Sequence, residues 1–86
     1  MLTVFEVILR PATDPDTLLS DETKRETLAQ IMTPTEAAAV GFKGYQPDPK
    51  GREIRFIAVA QRDAHWIQRS LETHEGVDGY KTHDIG

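Results

Sequence analysis

Two stretches, TVFEVILR (residues 3–10) and REIRFIAVA (residues 52–60), constrain this chain more than any other feature. Both are dense in β-branched and aromatic residues, the types that suit a pleated, half-buried surface. Each also alternates, so each has two faces. On the first, Phe5, Val7 and Leu9 share one face, and Val4, Glu6 and Ile8 the other. On the second, Ile54, Phe56, Ala58 and Ala60 share one face, and Arg55, Ile57 and Val59 the other.

The segments between them supply helices and turns. Pro11 to Thr17 is a turn-rich connection. Ser20 is an N-cap, and Asp21 and Glu22 suit the positive end of a helix dipole. Leu28, Ile31 and Met32 give that helix an apolar stripe. Thr33-Pro34-Thr35-Glu36 is a capping signature, so the helix stops or kinks near Met32. A second short helix follows over Pro34 to Val40, with Gly41 at its end. Phe42 to Gln46 reads as a weak strand, and Pro47 to Gly51 as the turn into the strong one. Asp63 caps a helix that runs to about Glu75 with Ala64, Ile67 and Leu71 on one stripe. Gly76 closes it, and Tyr80 to Ile85 reads as the last strand.

The order is β-α-β-β-α-β, with the first helical region split at Pro34. With right-handed crossovers this predicts an α+β fold, a ferredoxin-like βαββαβ plait formed by residues 1–86 as a single domain. Its four-stranded antiparallel sheet would carry helices on one face. The first and third strands, the most apolar, would be central. The second and fourth carry Lys43, Pro47, Lys81 and glycines, which suits edges that must resist aggregation.

In that plait the all-apolar sets meet the helices, which leaves Val4, Ile8, Ile57 and Val59 on the open face. A solvated antiparallel face is normally polar. These four aliphatics, around a Glu6–Arg55 pair, therefore predict a covered face and a homodimer formed through it. Each half-buried aliphatic would contribute on the order of 1 kcal/mol. Trp66 stands one residue off the helix stripe and is a further interface candidate.

Composition removes whole classes of function. The chain has 86 residues and no cysteine, so disulfides, thiolate metal sites and cysteine nucleophiles are excluded. Ten Lys and Arg stand against 14 Asp and Glu, a net charge of −4. No basic run exists to neutralise phosphates, which argues against nucleic acid and anionic membranes. The opening residues have no basic segment and carry Glu6, so they do not read as a secretory leader, and a cytoplasmic location is expected.

His65, His74 and His83 recur every nine residues. Nine residues rotate a helix by half a turn, so His65 and His74 point to opposite sides, about 13 Å apart along the axis. They cannot share a metal ion, and no metal or cofactor is expected. His74 falls in the last helical turn, where it can bond terminal carbonyls. His83 returns on the final strand toward Asp63 and His65, so Asp63, His65, His83 and Asp84 are the candidates for acid–base chemistry. The resulting expectation is a small acidic self-associating module that binds a protein partner or small ligand without chemistry of its own. Its rival is a dimeric, cofactor-independent α+β enzyme using His65 or His83 as acid–base group.

Overall fold

The computed structural model describes residues 1–85. Its elements are β1 (Leu2–Leu9), α1 (Asp21–Thr27), β2 (Gln30–Met32), α2 (Pro34–Ala39), β3 (Glu53–Ala60), α3 (Ala64–Thr73) and β4 (Val77–Ile85). The four strands form one antiparallel sheet in the order β2-β3-β1-β4, so the fold is α+β with the two apolar strands central.

The second strand is not where the sequence placed it. Ser20 caps α1 as expected, accepting from the Thr23 N–H, but the helix stops at Thr27. Leu28 takes a left-handed conformation with φ 57°, and its N–H closes the last turn on the Lys24 carbonyl. Ile31 and Met32 then belong to β2 and face opposite sides of the sheet. Their spacing from Leu28 fits a helix of period 3.6 as well as a strand of period 2, and three residues do not separate the two. Phe42 to Gln46 is irregular rather than a strand. The Thr33–Glu36 capping box is present, with Thr33 Oγ1 accepting from Glu36 N–H and Glu36 Oε1 accepting from Thr33 N–H. That second bond holds the Glu36 carboxyl below its ordinary value.

Register decides which residues share a face. Val4 lies opposite Ala58, Phe5 opposite Ile57, Glu6 opposite Phe56 and Ile8 opposite Ile54. Directly opposed residues point the same way, so the expected grouping is off by one. Phe5, Val7 and Leu9 share their face with Ile57 and Val59, and α3 covers them with Ile67 and Leu71, joined by Leu18 and Leu19. The opposite face holds Val4, Ile54 and Phe56 with Met32. There Ala37 of α2, followed by Phe42 and Tyr45, packs over the strands. The second face is thus covered in large part by the chain's own residues 34–50.

Two further differences are local. A 3₁₀ turn over Gln61–Asp63 leads into α3, so Asp63 makes no side-chain cap bond and the helix ends at Thr73. β4 begins at Val77, three residues early, because a bulge at Asp78 lets the strand continue past Gly79.

Candidate functional site

The second face can be followed row by row from the register. Ala60, Leu2 and Ile85 form its outermost row; Gln30, Ala58, Val4 and His83 the next; Met32, Phe56, Glu6 and Lys81 the third. In this apolar setting Glu6 is only 4% exposed. A carboxylate so placed needs a partner. It finds one diagonally across β1 and β4, where His83 Nε2 donates to Glu6 Oε1 at 3.0 Å. The His83 ring packs against Phe42, centroids 5.1 Å apart. Phe42 therefore roofs the pair as well as the apolar cluster.

Beside the pair lies a cavity of about 310 Å³ between the sheet and the returning loop. Its floor is Glu6, Ile8, Ile54 and Lys81, and its far wall is Gln46, Pro47, Asp48 and Pro49. Lys81 is directly opposite Glu6 in register, yet the carboxylate is bonded to His83 instead. Among the described residues Lys81 makes no ion pair. No buried side-chain polar atom among them lacks a partner, so the second Glu6 oxygen opens onto the cavity it lines.

The loop wall is fixed by charge. Arg52 donates from its backbone N–H and Nε to Asp48 Oδ2, both at 2.8 Å, and from Nη2 to Oδ1 at 2.9 Å. Its Nη1 reaches Asp78 on β4, which also meets Arg10 at 3.6 Å. Hydrogen bonding to the Arg52 guanidinium lowers the Asp48 carboxyl to about 2. The same guanidinium lowers Asp78. Asp48 is thereby committed to Arg52.

The sequence-derived acid–base candidates separate. His83 bonds Glu6 rather than Asp63 or Asp84. Asp84 faces the other side of the sheet, where Thr3 Oγ1 donates to it at 2.9 Å. Asp63 sits 3.7 Å from Arg62, and His65 stacks on Trp66 with centroids 4.7 Å apart. His74 has the structural part expected of it. Gly76 N–H donates to its Nδ1 at 2.9 Å, leaving the ring proton on Nε2 to donate to Thr17 Oγ1 at 2.9 Å. No three His, Asp or Glu side chains among the described residues are placed to hold a metal ion.

The interface candidates separate too. Val4 and Ile8 lie on one face, Ile57 and Val59 on the other, and Val4, Ile57 and Val59 are buried. Arg55 is on the side of Val7, near Glu53, and cannot pair with Glu6. Trp66 alone of the five remains an exposed large side chain, at 50%. The sequence carries no sign of Lys81 as a site residue and pairs Glu6 with Arg55 on a covered face, whereas Glu6 bonds His83. The available signal was Glu6 itself, one carboxylate amid an apolar strand. No protein-family model matches this chain, and no curated protein matches its sequence.

Proposed function

We propose that this protein is a small acidic cytoplasmic module that works by self-association, binding without chemistry of its own. The observation that carries the reading is where the exposed large apolar side chains lie, Val40 after α2 excepted. Leu2, Ile85 and Met1 are at one end of the sheet, where Ala60 also ends β3. Leu28 precedes β2 at that same end, and Trp66 opens α3 there, on the side of the opposite face. Leu28 is 80% exposed and, with Leu2, Ala58 and Ala60, lines an open cleft of about 360 Å³. This is the part of the second face that residues 34–50 leave uncovered. Clustered apolar side chains of this kind mark interaction surfaces. The rim carries Glu26 and Asp63 together with Arg62, so an isologous contact can set Glu26 of one copy against Arg62 of the other.

For the architecture, the reading is a ferredoxin-like split βαβ plait in which α2 and the loop after it form an added layer. Its support is the central position of the first and third strands between edges formed by the second and fourth.

Light scattering at tens of micromolar should give the mass of a dimer. Leu28→Lys with Ile85→Lys should give a monomer with an unchanged circular dichroism spectrum. A monomer mass for the unaltered chain would defeat the proposal.

The Glu6–His83 pair favours a second reading, a dimeric cofactor-independent enzyme with His83 as acid–base group. A bonded carboxylate fixes the tautomer and orientation of an imidazole. Among the described residues His65 has no such partner. Under this reading His83→Gln abolishes turnover of the substrate while the dimer persists; unchanged turnover would eliminate it.

A further inference from the structure

We propose that the cavity beside Glu6 is a binding site for an amino-acid-sized zwitterion. Three features of the chain carry this. The first is the open oxygen of Glu6, a nearly buried carboxylate whose one side-chain bond among the described residues is to His83. In a low-dielectric wall such an oxygen bonds a cationic donor more strongly than it would in water. The second is Lys81, which stands across from Glu6 on the same face and makes no ion pair among the described residues. Its ammonium is available to a carboxylate.

The third is the remaining lining. Ile8, Ile54, Pro47 and Pro49 give the short carbon stem of such a ligand an apolar bed, and the Gln46 amide adds a donor and an acceptor. Asp48 is held by Arg52, so it does not compete for the ligand's ammonium. The free charges are therefore one negative and one positive, which selects against simple anions and simple cations alike. A volume of about 310 Å³ is at the small end for ligand pockets and suits a molecule of this size. His83 acts here as a positioning residue: by holding one Glu6 oxygen, it turns the carboxylate away from Lys81.

The test is a titration followed by amide NMR shifts. The probes are glycine, β-alanine and γ-aminobutyrate, whose charges are progressively further apart, with butylamine and butyrate as single-charge controls. At least one zwitterion should give saturable shifts at Ile8, Ile54 and Lys81, and each control should bind about tenfold more weakly or worse, one lost charge-assisted contact being enough for that factor. Lys81→Met, at an exposed position, should weaken zwitterion binding by a similar factor without disturbing the fold. Glu6→Gln, which can still bond His83, should do the same. Absence of saturable shifts with all three zwitterions would overturn the proposal. So would butylamine binding as tightly as the best zwitterion, or zwitterion binding that Lys81→Met leaves unchanged.

Discussion

Phe42→Ala tests whether the irregular 41–50 segment is a structural layer or a loose loop. Phe42 is 9% exposed, and its ring lies 5.2 Å from Phe56 and 5.1 Å from His83, centroid to centroid. Burial of a phenylalanine side chain contributes about 1.5–3 kcal/mol. The aromatic pair with Phe56 adds about 0.5–1.5 kcal/mol. The segment has no ladder bonds of its own and can settle into part of the vacated space, which lowers the cost. The net expectation is a loss of about 3 kcal/mol. In a domain of this size that corresponds to a fall of about 12–24 °C in Tm. Thermal unfolding followed by circular dichroism reads the fall directly. Binding of a hydrophobic dye should rise as well, because Val4, Ile54 and Phe56 lose their roof. A loss below about 1 kcal/mol, the size expected of a surface change, would refute the assignment of this segment to the core.

Two other outcomes follow from local contacts. The bonds from Arg52 depress Asp48 from its ordinary 3.8 to about 2 in the folded state, so the stability they provide is complete above the unfolded value and is lost as pH falls through the folded one. Asp48→Asn should therefore lower Tm at neutral pH and flatten its decline between about pH 4 and pH 2; parallel declines in the two proteins would contradict this. Gly76→Ala should destabilise by about 1–3 kcal/mol, because a Cβ there would overlap both branches of Thr13. Adding Thr13→Gly should restore part of the loss in a denaturant melt, and no recovery would place the strain elsewhere.

The sequence makes some of this architecture plain and hides the rest for identifiable reasons. β1, β3 and α3 are long enough for their periodicity to stand out, and the Thr33–Glu36 box has a local cause that no tertiary contact overrides. β2 is three residues long, too short to show a period. Phe42 to Gln46 has the composition of a strand because its aromatics are core residues, but they cover a sheet instead of extending it. The greatest loss is register. Alternation says that Val4 and Ile8 share a face, and likewise Ile57 and Val59, but not which pair meets the helices. Here both faces are buried along β1 and β3, so hydrophobicity cannot choose between the two registers. A one-residue error then moved Arg55 beside Glu6 and hid His83 as its partner.

Glu6 shows what that hidden register means for function. Its position in the third row, beside Phe56 and Met32, is one that a leucine or valine would fill with no desolvation cost. A buried ion pair is weak evidence for stability, since apolar replacements of similar volume are often neutral or stabilising by about 1–4 kcal/mol. Glu6 bonds His83 and not the lysine opposite it in register, and among the described residues Lys81 makes no ion pair. Protection of a sheet edge accounts for a lysine at position 81, but packing does not account for the carboxylate. The carboxylate becomes intelligible if its second oxygen and the Lys81 ammonium are kept apart for something that enters between them. The structural layer formed by residues 34–50 serves the same end. It covers the lower rows of the second face, walls the cavity beside Glu6, and leaves Leu2 and Ile85 of the outermost row exposed, where self-association is proposed.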